Sequence, residues 1–258
     1  MITAGIDIGS AAIKIVFVEN KNILWNKTAA TVPNAGGVCQ KLLDQGMEIL
    51  SIDRSDISGI AATGYGRKLF PGTEKIVDEI SANAFGAYLL SNGKARSIIN
   101  IGGQDVKIIK ITPEGKIDDF KMNDKCAAGT GRFFEMAGRI LDTHVDEFSH
   151  LSKQSQSPVT INSTCAVFAE SEIVSLLARG EKICDIIAGI HNSLARRIYE
   201  LKSSMELDDD IYLDGGPGTN SGLLYYLEEE FAREINIFDL PQFTVAYGAA
   251  QLLRGKRN

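Results

Sequence analysis

The feature that most constrains the fold of this chain is an internal repeat. The segment GIDIGSAAIKIVFV (residues 5–18) returns in altered form as IINIGGQDVKIIKI (residues 98–111), at an offset of 93 residues. At this offset Gly9 and Lys14 align with Gly102 and Lys107. Each copy is an apolar strand, a glycine-containing turn and a second β-rich strand, which predicts a β-hairpin. Two matching hairpins predict an α/β fold with two similar halves and a cleft between them.

The remaining patterns fit two halves. NILWNKTAAT and ISGIAATGYG read as further strands of the first half, while GGVCQKLLDQGMEILS and VDEISANAFGAYLLS read as helices. Later, DIYLDGGPGTNSGLLYYLEEEF gives a strand, a turn and a helix. A last helix, from about 245 to 254, is expected to pack on the first half. The predicted halves are therefore 1–95, joined by about 245–258, and 96–244.

Charge and composition limit the classes of partner. The net charge of −6 and the pI near 5.2 argue against a nucleic-acid partner, which favours a basic face. No apolar run approaches the ~18 residues of a membrane span, and the N-terminus lacks a signal-peptide pattern. The four cysteines are irregularly spaced, which is not typical of a disulfide framework. We therefore expect a cytoplasmic protein without a nucleic-acid or membrane partner.

The turns of the repeat have the chemistry of a phosphate site. Their glycines allow backbone N–H groups to approach an anion closely. Asp7 ends its strand at the first turn, where a carboxylate can hold a hydrated Mg²⁺ ion. The turn GGPGTN (residues 215–220) offers small residues against which a base and a ribose could lie. Taken alone, this last turn is equally well an ordinary βα loop.

Two cysteines precede predicted helices. Cys126 lies in NDKCAAGTGRFFEMAGRI (residues 123–140), and Cys165 comes directly before AVFAESEIVSLLARG. The N-terminus of a helix is electropositive, and this favours thiolate over thiol. Inert core thiols and a zinc site shared across a dimer are the alternatives, although zinc sites usually have closely spaced cysteine or histidine pairs. Cys39 and Cys184 are expected in the core, and no histidine has metal-ligand spacing.

This order of motifs resembles the actin, Hsp70 and sugar-kinase superfamily of ATPases, which has duplicated ribonuclease-H-like halves. Residues 5–14 look like its first phosphate motif, residues 100–107 like its second, and residues 213–222 like its adenosine motif. Within the superfamily, NIGGQDVK, NDKCAAGTGRFFE and STCAVFAESEIVSL look like signatures of the activator ATPases of 2-hydroxyacyl-CoA dehydratases and benzoyl-CoA reductases. The resemblance covers essentially the whole chain.

The resemblance implies an ATPase coupled to electron transfer. A low-potential electron would pass from a 4Fe–4S cluster to a CoA-ester dehydratase or reductase, or to a related double-cluster reductase. Cys126 and Cys165 supply two thiolates, so a homodimer would supply the four that one such cluster needs. The resemblance further implies ATP/ADP and Mg²⁺ as cofactors, a ferredoxin or flavodoxin as electron donor, and an oxygen-sensitive protein suited to an anaerobic cell.

The resemblance also gives roles to individual residues. Asp7 and Asp105 would orient Mg²⁺ through water, and Gln104 would position the attacking water. The phosphates would be held by Gly9, Ser10, Gly102 and Gly103. Their charge would be compensated by Lys14 and Lys107. The adenosine pocket would be lined by Gly215, Gly216 and Asn220. Nucleotide-dependent closure would reach the cluster through the helices behind the two cysteines.

Some positions depart from the family pattern. Ala11 and Ala12 stand where hydroxyl residues are usual, and Ala82 and Asn83 stand where many relatives carry a Cys-His pair. Two other functions are compatible with the superfamily. A small-molecule kinase of the amino-sugar type would need a cleft carboxylate as base, such as Asp105. A non-redox nucleotide switch would resemble actin. Neither function explains two cysteines at helix starts.

Overall fold

The computed structural model describes residues 1–123, 130–162 and 165–254. The chain divides into two compact units that interleave in sequence. The first unit contains Met1–Ile98, Ile109–Asp119 and Phe238–Asn258, and the second contains Ile99–Ile108 and Phe120–Ile237.

The first sheet contains the first copy of the repeat. Its strand order is β3-β2-β1-β4-β5, formed by β1 (Ile2–Ile8), β2 (Ala12–Glu19), β3 (Asn22–Ala30), β4 (Ile57–Thr63) and β5 (Lys75–Ile76). Strands β1 and β2 form the predicted antiparallel hairpin, and β4 runs parallel to β1. The first unit also contains helices α1 (Ala35–Leu50), α2 (Glu79–Leu90) and α8 (Thr244–Arg254).

Both faces of strand β2 are buried. Ile15 and Phe17 belong to a core cluster with residues of α1, including Leu42. Val16 belongs to a separate cluster with Tyr247 of α8. Because side chains alternate across a strand, the continuous run IKIVFV covers two different helical layers. This explains why the strand is apolar at nearly every position.

Helix α8 packs closely against α2. A Cβ atom at Gly248 would collide with the carbonyl oxygen of Ala82, and one at Gly86 would collide with that of Thr244. The two glycines therefore allow the helix backbones to approach more closely than larger residues would. The C-terminal helix thus packs on a helix of the first unit.

The second sheet repeats the strand order of the first. Its order is β10-β9-β6-β7-β8, formed by β6 (Ser97–Ile101), β7 (Val106–Ile111), β8 (Ile117–Met122), β9 (Ile211–Gly215) and β10 (Asn236–Ile237). Read from the other edge, this order is β8-β7-β6-β9-β10, which corresponds strand by strand to β3-β2-β1-β4-β5 of the first sheet. The sequence repeat is thus a repeat of topology. The predicted α/β duplication is confirmed.

Five helices accompany the second sheet among the described residues. They are α3 (Gly131–Ile140), α4 (Phe148–Ser152), α5 (Ala166–Ala178), α6 (Ile183–Lys202) and α7 (Ser221–Phe231). The core of this unit joins Ile101 of the sheet, Phe134 of α3, Ile190 of α6 and Leu223 of α7. Within the described ranges, no helix has the length and hydrophobicity needed to cross a membrane.

Candidate functional site

The first hairpin turn places a carboxylate next to a lysine. Asp7 and Lys14 are directly opposite in the β1–β2 register, and Nζ of Lys14 lies 2.9 Å from Oδ2 of Asp7. The N–H of Gly9 closes the turn by donating to the carbonyl oxygen of Ala12 at 3.1 Å. Ser10 lies at the tip of this turn, partly buried. The four predicted residues of the first phosphate motif therefore lie together at the end of one hairpin.

The second oxygen of Asp7 has a different environment. Asp7 is only 4% exposed, yet its Oδ1 atom accepts no hydrogen bond from any residue that the structure describes. A buried carboxylate oxygen without a donor is costly unless water or a cation satisfies it. Hydrated Mg²⁺ prefers this kind of oxygen ligand. The residue thus fits the predicted metal role in its chemistry.

The second turn is bonded to the start of helix α3. Gly102 donates its N–H to the carbonyl oxygen of Asp105 at 2.8 Å, which closes the turn. The N–H of Gly131 then donates to the carbonyl oxygen of Gly102 at 2.9 Å, and the hydroxyl of Thr130 donates to that of Gly103 at 2.9 Å. The predicted phosphate turn and a helix N-terminus, which favours anions, are therefore held together.

Asp105 and Lys107 form a buried ion pair in this turn. Nζ of Lys107 lies 2.6 Å from Oδ1 of Asp105, and both side chains are nearly inaccessible to solvent. Gln104 lies between Gly103 and Asp105 and is partly buried. The four residues and Gly102 form one compact group at the ends of β6 and β7.

The predicted adenosine motif joins the same region of the second unit. Gly215 has φ of 90° and ψ of 177°, a conformation that is almost confined to glycine. A Cβ atom there would collide with the carbonyl oxygen of Ile101, the last residue of β6. Gly215 therefore permits close contact between the end of β9 and the strand that leads into the phosphate turn.

A pocket of about 450 Å³ lies beside this contact. It contains two of the three predicted adenosine residues, Gly216 and Asn220. The other lining residues come from α3, from residues 145–149 and from the turn before α7: Gly131, Phe134, Glu135, Val145, Asp146, Ser149, Pro217 and Thr219. Sequence reasoning missed Glu135 and Ser149, although Glu135 belongs to the motif GTGRFFE. No local signal indicated Ser149, which reaches the pocket through α4.

Asn220 is held by a buried histidine. Its Oδ1 accepts hydrogen bonds from the N–H groups of Gly222 and Leu223, both at 3.0 Å, and so caps helix α7. Its Nδ2 lies 3.1 Å from Nε2 of His191, which is fully buried on α6. Burial lowers the pKa of His191 to about 3, so the ring is neutral at physiological pH. Since Asn220 is the donor, Nε2 accepts and the ring proton is on Nδ1.

The cysteines occupy different environments. Cys165 is the N-cap residue of α5, with φ of −105° and ψ of 140°, and is partly exposed. Cys126 lies outside the described residues. Cys39 is buried in α1 as predicted, and burial raises the pKa of its thiol to about 11. Cys184, in the first turn of α6, is only partly buried. The described residues contain no group of three or more His, Cys, Asp or Glu side chains suited to a metal.

A partly exposed N-cap thiol is a suitable ligand for an anionic iron–sulfur cluster. The first N–H groups of α5 point beyond the helix start, and in the described part of the chain Cys165 forms no disulfide. One such thiol is a quarter of the donor set that a 4Fe–4S cluster needs. The residue therefore fits this group in kind, and further thiolates have to come from elsewhere.

The chain is similar to curated activators of acyl-CoA dehydratases. It is 39% identical over 251 residues to the 2-hydroxyisocaproyl-CoA dehydratase activator of Clostridioides difficile, which covers 97% of this chain and 94% of the relative. It is 38% identical over 249 residues to the (R)-2-hydroxyglutaryl-CoA dehydratase activating ATPase of Acidaminococcus fermentans, with 96% and 95% covered.

The fold agrees with these relatives. The solved structure of the activator of the 2-hydroxyisocaproyl-CoA dehydratase from Clostridium difficile, with bound ADPNP, matches with a TM-score of 0.92 at 37% identity. The match covers 100% of this chain and 99% of the other. The family model of the BadF/BadG/BcrA/BcrD ATPases matches residues 4–252. On this evidence, the chain belongs to the BadF/BadG/BcrA/BcrD ATPase family.

Proposed function

We propose that this ATPase is an electron donor that activates a partner dehydratase or reductase acting on CoA esters. The proposal is supported by similarity over nearly the whole chain to proteins named as dehydratase activators. The observation that carries it is the position of Cys165, at the start of α5 and in the same unit as the pocket beside the second phosphate turn. A kinase or a simple nucleotide switch has no use for a thiol at this place.

The nucleotide-binding part of the proposal uses the two turns. Backbone N–H groups of Gly9, Gly102 and Gly103 and the hydroxyl of Ser10 bind phosphate oxygens. Lys14 and Lys107 reduce the charge repulsion between phosphates and the carboxylates. Gly216 and Asn220 line the pocket of the second unit that would take adenosine, and Gly215 precedes them in the same turn. Asn220 also caps the start of α7.

The hydrolytic part uses the carboxylates and one amide. Asp7 and Asp105 hold Mg²⁺ through water, and the unsatisfied Oδ1 atom of Asp7 supports this role. Gln104 orients the water that attacks the terminal phosphate. Since the ion pairs with the two lysines hold both carboxylates in place, the side chains need little rearrangement when the nucleotide arrives.

The redox part places one cluster at the twofold axis of a homodimer. Cys126 and Cys165 of each subunit give the four thiolates of a 4Fe–4S cluster. When bound, such a cluster supplies one-electron transfer at low potential. At Cys165, the chain's own contribution is to present a thiol at the start of α5, where free N–H groups stabilise negative charge. A ferredoxin or flavodoxin would supply the electron, and a partner with its own iron–sulfur clusters would accept it.

Helix α5 offers a surface for the second subunit. It buries Ala169 and Ile173, but Val167 and Phe168 in its first turn are 68% and 69% exposed. Large apolar side chains exposed together usually mark an interface. Because both lie within three residues of Cys165, an isologous contact through this turn would bring the two Cys165 residues of a dimer near each other.

Iron analysis of protein purified without oxygen tests the redox proposal. We expect about four irons and four sulfides per dimer, with loss of both in Cys126→Ala and Cys165→Ala. Cys184→Ala is the matched control, because Cys184 is also partly buried in the first turn of a helix but should keep the iron. Colourless wild-type protein after anaerobic reconstitution, or equal iron loss in the control, would overturn the cluster assignment.

Two further measurements separate the dimer from the kinase alternative. In sedimentation velocity, Phe168→Glu should shift the dimer to monomer. Tyr225→Glu should not, because it replaces an exposed aromatic residue on α7, away from the proposed interface on α5. If Phe168→Glu stays dimeric, the interface lies elsewhere. ATP hydrolysis that proceeds without any sugar supports the proposal, while turnover that requires an added sugar supports a kinase.

A further inference from the structure

Two neighbouring strands of the first unit end at residues that face each other. β1 and β4 are parallel, and Asp7 of β1 is the register partner of Thr63, the last residue of β4. Register partners on parallel strands direct their side chains to the same face of the sheet. The carboxylate of Asp7 and the hydroxyl of Thr63 therefore belong to the same face of the sheet edge that carries the first phosphate turn.

Each of these two side chains has an unsatisfied oxygen. Thr63 is fully buried and Asp7 is 4% exposed. In the described part of the chain, neither Oγ1 of Thr63 nor Oδ1 of Asp7 has a hydrogen-bond partner. The other oxygen of Asp7 is already bonded to Lys14 at 2.9 Å. Buried polar groups are rarely left unpaired, and two in register point to one shared partner other than the protein groups that the structure describes.

The residue after Thr63 leaves room for this partner. Gly64 has φ of 85°, and a Cβ atom there would collide with Oδ1 of Asp7. The carboxylate oxygen therefore lies directly against the backbone of Gly64. The turn is fixed in this position, because the N–H of Gly66 donates to the carbonyl oxygen of Ile8 at 2.9 Å and Arg67 donates to that of Gly64 at 3.0 Å.

The chemistry of the two oxygens limits which kind of partner can bond to both. An ionised carboxylate only accepts hydrogen bonds, whereas a threonine hydroxyl donates one and accepts others. A water molecule can donate to Asp7 and bond to Thr63 at the same time. Such a water is also what a magnesium ion presents, since Mg²⁺ keeps several waters when it binds through carboxylates and phosphates.

We propose that Thr63 is a positioning residue of the nucleotide site, whose hydroxyl, with Oδ1 of Asp7, holds a water in the hydration shell of the magnesium ion that accompanies the nucleotide. This rests on the proposed function in one respect, the use of Mg²⁺ at Asp7. Thr63 acts on the metal through this water and through the orientation of Asp7. Its removal should weaken the binding of the metal–nucleotide complex and leave metal-free nucleotide binding unchanged.

Calorimetric titration of ADP with Mg²⁺ and with EDTA tests the proposal. In the wild type, Mg²⁺ should tighten ADP binding. In Thr63→Val, which has the same shape without the hydroxyl, the dissociation constant with Mg²⁺ should rise about fivefold, in keeping with the loss of one hydrogen bond, while the constant in EDTA stays within about twofold. Thr63→Ser keeps the hydroxyl and should bind as the wild type does.

A direct metal readout and a control variant complete the test. At saturating ADP, the electron paramagnetic resonance signal of free Mn²⁺ should be larger for Thr63→Val than for the wild type, because less Mn²⁺ is bound. Thr63→Ala, a second variant without the hydroxyl, should show the same increase. Thr3→Val should not change Mn²⁺ binding, because the hydroxyl of Thr3, buried on the same β1, donates to the carbonyl oxygen of Val18 instead.

Three results would overturn the inference. If Thr63→Val weakens ADP binding equally with Mg²⁺ and with EDTA, or changes neither, Thr63 has no part in holding the metal's water. If Thr63→Ser loses as much as Thr63→Val, the methyl group and not the hydroxyl is responsible. If the wild type itself shows no effect of Mg²⁺, the magnesium assignment of the proposed function fails, and this inference fails with it.

Discussion

Replacing His191 by phenylalanine should make the second unit markedly less sensitive to mild acid. The ring of His191 is fully buried on α6 and packs against Phe134, Phe148 and Tyr226, with ring centroids 5.2 to 6.3 Å apart. Among the described residues, its Nδ1 atom has no hydrogen-bond partner. A proton added to this ring would place a charge in an apolar environment without a counter-ion.

The magnitude follows from the two pKa values. Histidine has a pKa of 6.5 in the reference state, and burial lowers that of His191 to about 3. Between these values the unfolded chain binds a proton that the folded chain excludes. The contribution to stability is therefore complete above pH 6.5 and is lost as the pH falls below it. For this one histidine, the coupling of proton binding to unfolding lowers the free energy of unfolding by about 2 kcal/mol at pH 5.0 relative to pH 7.5.

Urea unfolding at the two pH values measures this loss. Far-UV circular dichroism is the appropriate signal, because the single tryptophan, Trp25, lies in β3 of the first unit and does not report on α6. The free energy of unfolding of the wild type should fall more between pH 7.5 and 5.0 than that of His191→Phe, by about 2 kcal/mol. The lost bond to Asn220 lowers stability at both pH values and cancels in this difference.

The exposed His150 provides the control. His150→Gln should keep the full pH dependence of the wild type, because the side chain of His150 is exposed and is not part of the buried aromatic cluster around His191. If His191→Phe loses as much stability at pH 5.0 as the wild type does, within about 0.5 kcal/mol, the folded protein accepts the proton and the burial argument is wrong.

Three other substitutions or modifications have definite expected results. Cys39, whose pKa is about 11, should resist alkylation at pH 8 until the protein is unfolded, as read by mass spectrometry; rapid labelling of the folded protein would contradict its burial. Lys107→Met should lower the free energy of unfolding by about 3–5 kcal/mol, because it leaves the carboxylate of Asp105 buried without its cation. Gly215→Ala should lower the melting temperature, because a Cβ atom there collides with the carbonyl oxygen of Ile101, whereas Gly216→Ala should leave the melting temperature unchanged, since a Cβ atom at Gly216 meets no atom within 4 Å; equal losses at both positions would exclude the backbone explanation.

The elements that sequence patterns predicted well are those defined by nearby residues. The hairpin of β1 and β2 has its glycine turn and its two apolar strands within eighteen residues, and its register is set locally. The N-cap position of Cys165 was indicated in the same way, by an apolar helical pattern that starts at Ala166. Such features depend on the chain's intrinsic conformational preferences, which a single sequence expresses directly.

The features that sequence patterns missed depend on contacts between distant segments. The pair of Asn220 and His191 joins the start of α7 to the middle of α6, and nothing near either residue specifies it. Likewise, Thr63 becomes the neighbour of Asp7 only when β4 pairs in parallel with β1 across an intervening helix. Parallel pairing leaves no turn signal in the sequence, so the register that creates the polar pair could not be read from it.

The two copies of the repeat differ in where the carboxylate beside the lysine comes from. At the offset of 93 residues, Lys14 corresponds to Lys107, but Asp7 corresponds to Asn100. Asn100 donates its Nδ2 to Oδ1 of Asp214 on β9 at 2.6 Å, and Lys107 pairs instead with Asp105, two residues before it. The duplicated hairpin has therefore kept the lysine and moved its partner from the first strand to the turn.

This difference separates the chemistry of the two turns. In the first turn, the Asp7–Lys14 pair spans the hairpin and leaves Oδ1 of Asp7 available to a ligand. In the second turn, the carboxylate belongs to Asp105 in the turn itself. A Cβ atom on Gly102 would lie only 2.6 Å from Oδ1 of Asp105. Gly102 is thus needed for the carboxylate to fold back over the turn toward Lys107. The first turn therefore offers an unsatisfied carboxylate oxygen to the proposed water and metal, whereas in the second turn Asp105 would act on them from beside Lys107.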